Sequence, residues 1–484
     1  MKPERFIVRG HLDINAVFEA HRDRPAVVRL GPNGLVYTFD DVACRLAAMR
    51  MKFKDLGLSL GSRVAVYMEN DSIHFLVFFL SWIEGWIFIP LNPRMPFEAA
   101  VADTSPDVVI GGSLLTGKTK PVVISPYLLM KEEASPLSDY LPFPPVDLSQ
   151  ACSLVYTSGS TGNPTGVVHT TGSHVYSAAG VISFFGISAG DRWLVSLPLN
   201  HVGGLSIFTR TFLSGGAAVF PESRQAVGSA LAGGHADFIS MVPTQLIRFM
   251  SSGALHGALS RMRAILLGGS SVPEWVIDRA LDLSLPIVPS YGSTESCSLV
   301  TAVPPGSARA VYKTSGKVLP YRKLAADGEG RILLGGKTRF AFCFEGGEKV
   351  FPPEGDWFAT SDLGRVDEYG NWIITGRADE VFISGGENIN PFEIEKHLTA
   401  IDGIDAAVVV PVPEPEFGQV PWAFIFSSGA MGPGDITAYL KTSLPSFKVP
   451  KKIIFLESGR AKTGLKADRA LLKRKATEMA EKRT

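Results

Sequence analysis

Short apolar runs recur through the first part of the chain, at Arg63 to Tyr67, Trp86 to Pro90, Asp107 to Ile110, Ser153 to Tyr156 and Ala264 to Leu267. Each is strand-sized, and longer stretches with helical spacing separate them, which is the rhythm of layered α/β structure. Ile73 to Leu91 is almost continuously apolar, but His74, Glu84, Gly85 and Pro90 interrupt it. It predicts a buried helix, a turn at Glu84-Gly85 and a buried strand rather than a membrane span. From about residue 311 to 376 the pattern shortens into strands punctuated by Asp327-Gly328, Gly335-Gly336 and Tyr369-Gly370-Asn371, predicting a small β-rich lobe.

Beyond Gly376-Arg377 the pattern predicts a compact α+β unit: strand Glu380 to Ile383, helix Pro391 to Leu398, strands Ala406 to Val412 and Trp422 to Phe426, and helix Asp435 to Leu444. A charged helix follows over Asp468 to Lys482, and its basic residues read as a solvated face. The fold class expected is α/β, with a large multi-lobed N-terminal domain over 1–376, a hinge at 377–380 and a small α+β C-terminal domain over 381–484.

Composition narrows the function classes. The chain of 484 residues is 45% apolar with 49 Gly and 33 Pro, enough for several cores and many loops. Basic and acidic residues both total 47, so no global field favours a polyanion, and nucleic acid is not an expected partner. Cys44, Cys152, Cys297 and Cys343 lack CxxC spacing, so they read as reduced, buried thiols rather than a disulfide framework or zinc site. That favours the cytoplasm. Met1 to Leu12 has no apolar core of a secretory signal, and stable membrane insertion is not expected.

Two segments could cradle phosphate. Residues 112–119 satisfy the formal P-loop pattern, but Lys120-Pro121 leads into a β-like run, Val122 to Ser125, where a helix N-terminus should hold the anion. The better candidate is Tyr156-Thr-Ser-Gly-Ser-Thr-Gly-Asn-Pro-Thr-Gly166, directly after a strand-like run. Its glycines allow close backbone approach, and Thr157, Ser158, Ser160 and Thr161 offer hydroxyl donors to phosphate oxygens, although a polar surface turn has the same composition.

Four further segments decide between these readings: Tyr291-Gly-Ser-Thr-Glu295, Thr360-Ser-Asp-Leu-Gly364, the long run Thr375 to Glu395 containing Gly-Arg-Ala-Asp and Ser-Gly-Gly-Glu-Asn, and Gly464-Leu-Lys-Ala-Asp-Arg469. With the loop at 156–166 they resemble, in order, the signature motifs of the adenylate-forming superfamily of acyl-CoA synthetases, luciferases and peptide-synthetase adenylation domains. The likeness covers nearly the whole chain. It implies an AMP-forming ligase that uses ATP, Mg²⁺ and coenzyme A, with a C-terminal domain that rotates between two half reactions. A homodimer is expected only at the level of the family.

The resemblance also implies roles for individual residues. Thr157, Ser158, Gly159, Ser160, Thr161 and Gly162 would form the phosphate loop; Thr294 would bond the α-phosphate, Tyr291 and Gly292 would lie against adenine, and Glu295 would help hold Mg²⁺. Asp362 and Arg377 would take the ribose, and Asp379 would be the hinge. Lys466 would bridge the acyl carboxylate and α-phosphate, with Lys462 as the alternative because Leu465 splits the usual Gly-Lys pair. Gly385 and Gly386 would border the pantetheine arm, with a simple turn after a strand as the alternative. One departure is Thr165, where the superfamily usually has lysine, which puts pyrophosphate contacts in doubt.

Ser196 to Arg210, Met241 to Leu246, Val410 to Gly418 and the Gly-Leu-Lys at 464–466 are similar to 2-succinylbenzoate:CoA ligases. Their substrate is a dicarboxylate whose second charge needs a partner if buried. The resemblance places Arg210 there, His201 on the acyl pocket and Gly268, Gly269 and Ser270 on its floor, with a surface or interlobe salt bridge as the alternative use of Arg210. Another aryl or medium-chain acyl-CoA ligase, or a non-catalytic acyl-adenylate binder, stays open at this point.

Overall fold

The computed structural model describes residues 2–102, 104–111, 122–130, 142–157, 165–345, 348–352, 355–427, 431–456 and 469–481. The segment from Ile73 to Leu91 shows how local sequence becomes architecture. Asp71 caps helix Ser72–Glu84 by accepting from the Ile73 amide, and Gly85 closes it in the left-handed conformation at φ 74°. That φ suits a residue without a Cβ. Strand Ile87–Pro90 follows. The helix is apolar around its whole circumference and accordingly buried on nearly every side.

It lies between two large sheets. Among the described residues, an eight-stranded sheet runs in the order 348–350, 342–345, 165–170, 151–157, 87–90, 63–67, 108–111 and 122–124. A nine-stranded sheet runs in the order 317–318, 298–302, 287–293, 264–267, 238–241, 192–194, 217–220, 25–29 and 35–38. The central strands of each are parallel; antiparallel partners close both edges of the nine-stranded sheet and the 348–350 edge of the eight-stranded one, whose other edge strand, 122–124, is parallel to its neighbour. Helices Ser72–Glu84, Thr171–Phe185 and Val202–Ser214 fill the space between the sheets. Phe75 meets Phe208 at 5.1 Å and Phe78 meets His174 at 5.2 Å, joining the three helices into one core.

The β-rich lobe is narrower than the sequence pattern suggested. Strands Arg322–Ala326, Arg331–Gly336, Phe358–Val366 and Trp372–Arg377 form a four-stranded antiparallel sheet. Phe342–Glu345 instead pairs with Thr165–Thr170 in the eight-stranded sheet, and Lys317–Val318 extends the nine-stranded one. Turn residues mark where strands end, not which edge receives them.

After Arg377 come hairpin Phe382–Ser384 and Glu387–Ile389, helix Pro391–Thr399, and strands Ile404–Glu414, Gly418–Ser427 and Lys452–Leu456 in a three-stranded sheet. The last helix, Arg469–Glu481, buries Leu472 and Ala476 against this sheet. Lys473, Arg474 and Lys475 are exposed as expected. Arg469 departs from that solvated face: it bonds Glu395 at 2.6 Å, the Val409 carbonyl at 2.6 Å and Glu380 at 3.2 Å. Burial opposes its charge, yet the two carboxylates hold the guanidinium above its ordinary range.

Candidate active site

Parallel sheets place ligands at the carboxyl ends of their strands, where loops are free to diverge. In the nine-stranded sheet, Ala264–Leu267 ends at Gly268 and Ile287–Ser293 ends at Thr294. Gly268, Gly269 and Ser270 lie together at that edge, Gly269 with φ 82° and Ser270 exposed. The Gly268 amide donates to the Met241 carbonyl at 3.2 Å, tying the floor to the neighbouring strand.

Strand Ile287–Ser293 pairs antiparallel with Ser298–Ala302, and the ladder slips between Tyr291 and Gly292. Gly292 is required by space, because a Cβ there would overlap the Ser298 carbonyl. Beyond it Thr294 to Cys297 form a tight turn, the Cys297 amide donating to the Thr294 carbonyl at 3.1 Å. Cys297 and Ser298 both have positive φ, 54° and 94°, an arrangement that non-glycine residues adopt only when their surroundings enforce it. The turn presents Thr294 and Glu295, both half-buried. Among the described residues the Glu295 carboxylate has neither a hydrogen-bond nor an ion-pair partner. Hard, unshared oxygens of this kind fit a Mg²⁺ ligand.

Asp362 gathers the residues expected on the nucleotide side. Its Oδ2 accepts the Tyr291 hydroxyl at 2.7 Å and its Oδ1 accepts Arg377 Nη1 at 2.9 Å. Sheet register explains the second bond, since Asp362 and Arg377 are directly opposite on neighbouring strands. Arg377 also forks onto Asp379 at 2.9 and 2.8 Å, so one guanidinium joins Asp362 to the expected hinge. Burial opposes that charge, but Asp379 and Asp362 outweigh it and raise the Arg377 pKa. Burial and then the Asp362 charge push the Tyr291 phenol well above its ordinary value.

Arg210 occupies a different environment. It lies on the inner face of helix Val202–Ser214 and is 1% exposed. One nitrogen donates to Ser298 Oγ at 3.0 Å, and the guanidinium carbon stands 4.9 Å from the centre of the Trp193 ring. No carboxylate pairs with it among the described residues, and Nε has no acceptor there. Burial, then the nearby Arg322 charge, lower its pKa to about 9, so the side chain is still cationic at neutral pH. The interlobe salt bridge is absent among the described residues. Arg322 provides the contrast: also buried, it satisfies its donors on the Leu299, Pro320 and Ser177 carbonyls at 2.8 to 3.0 Å. His201 is exposed at the N-terminal cap of the Arg210 helix.

Thr157 and Thr165 are opposed across an antiparallel pair at the base of the segment expected to hold phosphate, and Thr157 Oγ1 donates to the Thr165 carbonyl at 3.3 Å. Ser158, Gly159, Ser160, Thr161 and Gly162 lie outside the described residues, as do Lys462, Lys466 and the formal P-loop pattern at 112–119. Gly385 and Gly386, at φ 58° and 89°, form the two-residue turn of the hairpin in which Ser384 opposes Glu387. A turn of that type has positive φ at both positions, which favours glycine there whatever ligand passes. Sequence reasoning missed Ser298, which holds Arg210, and the buried pair His169 and His174; only the two histidines, close in sequence just after the loop at 156–166, carried any signal.

His74, His169 and His174 are buried and neutral, burial lowering His74 and His169 to about 4 and His174 well below its ordinary value. The unfolded chain protonates near pH 6.5 and the folded chain does not, so this stability is present above pH 6.5 and lost as pH falls toward 4. His74 and His169 each account for up to about 3 kcal/mol over that window. Urea midpoints should therefore fall steeply from pH 7 to pH 5; a flat profile would refute buried neutral imidazoles.

The architecture is the adenylate-forming enzyme fold. The chain belongs to the AMP-binding enzyme family, whose model matches residues 14–335, with the family's C-terminal domain matching 393–464. It is 30% identical over 447 residues to the 2-succinylbenzoate-CoA ligase of Listeria monocytogenes serotype 4b, covering 89% of this chain and 94% of that protein. It is 28% identical over 461 residues to the 2-succinylbenzoate-CoA ligase of Bacillus cereus, covering 92% and 94%. Among solved structures it resembles an E. coli MenE variant with bound OSB-AMS, with a TM-score of 0.81, 26% identity and coverage of 98% and 100%. In fold it also matches o-succinylbenzoate CoA synthetase from Bacillus subtilis at TM-score 0.78 and 24% identity, covering 92% and 94%. No helix among the described residues is long and apolar enough to cross a membrane.

Proposed function

We propose that the chain is an ATP-dependent 2-succinylbenzoate:CoA ligase. In the first half reaction an oxygen of the succinyl carboxylate attacks the α-phosphorus of ATP, the bond to the bridging oxygen breaks, and pyrophosphate leaves. In the second the CoA thiol, giving up its proton, attacks the acyl carbonyl of the adenylate, and AMP leaves with the carboxylate oxygen. Thr157 and the loop it begins cradle the phosphates, and Thr294 bonds the α-phosphate. Glu295 would hold Mg²⁺, which when bound offsets the charge of the polyphosphate. Asp362 and Arg377 hold the ribose, and Lys466 stabilises the charge that develops between carboxylate and phosphate.

The observation that carries the choice of acid is Arg210: a buried, cationic side chain without a carboxylate partner among the described residues. Uncompensated charge of this kind is costly, and a spectator carboxylate on the substrate supplies the missing anion. The names of relatives spanning most of the chain support the same acid. The domain boundaries at 376 and 381, and rotation about Asp379 to bring Gly385 and Gly386 to the CoA arm, belong to this reading.

The test is thioester formation with MgATP and CoA, offering 2-succinylbenzoate, benzoate and octanoate separately and following product mass and pyrophosphate. Preference for 2-succinylbenzoate is expected. Preference for a monoacid would discard the dicarboxylate while keeping the ligase, and no pyrophosphate with any acid would discard both.

A further inference from the structure

Behind the turn that carries Thr294 and Glu295 lies a buried chain of four side chains. His169 Nε2 stands 2.7 Å from the Thr294 carbonyl, and His169 Nδ1 stands 3.4 Å from Ser153 Oγ. Ser153 Oγ is 2.8 Å from His174 Nε2, and His174 Nδ1 is 3.3 Å from the Cys297 sulfur. All four side chains are buried, and the donor atoms of His169, His174 and Cys297 lie within 4.8 Å of one another.

Proton bookkeeping allows one arrangement that satisfies all four contacts. A carbonyl only accepts, so His169 carries its hydrogen on Nε2. The imidazole is neutral, so its Nδ1 accepts, and Ser153 must spend its single hydrogen there. Ser153 Oγ then accepts from His174 Nε2–H, which leaves His174 Nδ1 to accept the Cys297 S–H. The relay therefore has a direction, thiol to hydroxyl to carbonyl.

Both ends of the relay fall on the same turn, Thr294 at one and Cys297 at the other. Cys297 is held a second time, its carbonyl accepting the Ser177 hydroxyl at 2.6 Å. A turn that leaves through two consecutive residues of positive φ, Cys297 and Ser298, needs such external restraint to persist.

We propose that His169 is a positioning residue for adenylation: with Ser153, His174 and Cys297 it sets the Thr294–Cys297 turn so that Thr294 and Glu295 face the polyphosphate. This rests on the phosphate-binding reading of those two residues. The imidazole touches neither nucleotide nor acid; it acts through the Thr294 carbonyl.

The role is specific to one half reaction, which separates it from general support of the fold. His169→Leu removes the donor, and His169→Gln keeps an N–H near the Nε2 position and an acceptor toward Ser153. Acid-dependent ATP–pyrophosphate exchange should lose about 100-fold in kcat in His169→Leu, with KM for the acid changed less than about threefold. His169→Gln should recover at least about tenfold of that loss. Thioester formation from preformed acyl-adenylate and CoA should stay within about threefold of wild type in both. Ser153→Ala, a smaller change that keeps the assay open should His169→Leu fail to fold, should lower exchange about tenfold. Nitrogen NMR of the wild type should show both imidazoles as Nε2–H tautomers. Parallel loss of both half reactions, equal damage in His169→Gln and His169→Leu, or full exchange activity in Ser153→Ala would overturn the assignment. A wild type that exchanges no pyrophosphate with any acid would overturn the ligase reading first, before any variant is compared.

Discussion

Arg210→Met is expected to lower kcat/KM for 2-succinylbenzoate about 100-fold while changing that for benzoate less than about threefold. The guanidinium has no carboxylate partner of its own among the described residues, so a ligand carboxylate entering beside Ser298 would form a desolvated, charge-assisted pair. Removing one partner of such a pair leaves the other charge buried alone, a loss of about 2–5 kcal/mol. A monoacid has no second carboxylate and feels only the change of shape. Stability should move the other way from activity. The lowering of Arg210 from 12.5 to about 9 corresponds to about 5 kcal/mol of disfavoured charge in the free enzyme. Against it stand the hydrogen bond to Ser298, about 1.5–3 kcal/mol, and the Trp193 contact, about 1–2 kcal/mol. The balance is near zero or favours methionine, so the Tm of Arg210→Met should be unchanged or higher. A Tm that drops by more than about 3 °C alongside equal losses for both acids would mean that Arg210 is a structural cation.

What the sequence made legible follows from how local each signal is. The helix, turn and strand across Ile73 to Leu91 depend on apolar continuity and Gly85, and the structure reproduces all three within a residue or two. The β-rich texture over 311–376 does not tell that strands Phe342–Glu345 and Lys317–Val318 join the larger sheets, because partner choice is settled by distant edges. Arg469 looked solvated because helix Arg469–Glu481 is otherwise charged, and Glu380 and Glu395, which draw it inward, lie 74 or more residues earlier. Motif order brought out Tyr291, Asp362 and Arg377, whose side chains meet in the fold. It could not bring out His169, which works through a backbone carbonyl, or Ser298, whose value lies in its distance from Arg210.

Asp362→Ala should raise the KM for ATP about 100-fold and erase the enzyme's discrimination against 2′,3′-dideoxy-ATP. A carboxylate offers about four lone-pair sites, and the Tyr291 hydroxyl and Arg377 Nη1 take one on each oxygen. One site on each oxygen remains, the number that a ribose diol requires. The same geometry fixes the controls. Tyr291→Phe removes a donor to Asp362 and leaves both diol sites intact, so its KM for ATP should rise only about threefold and discrimination should survive. Asp362→Asn keeps one acceptor oxygen and should fall between the two. Alanine also strands a half-buried phenol and the Nη1 group of Arg377, a loss of about 2 kcal/mol in stability, so affinities must be compared at a temperature where each variant is fully folded. If wild type accepts the dideoxy nucleotide as readily as ATP, Asp362 serves only to hold Tyr291 and Arg377 in place. If Tyr291→Phe loses discrimination as completely as Asp362→Ala, the hydroxyl rather than the carboxylate reads the sugar.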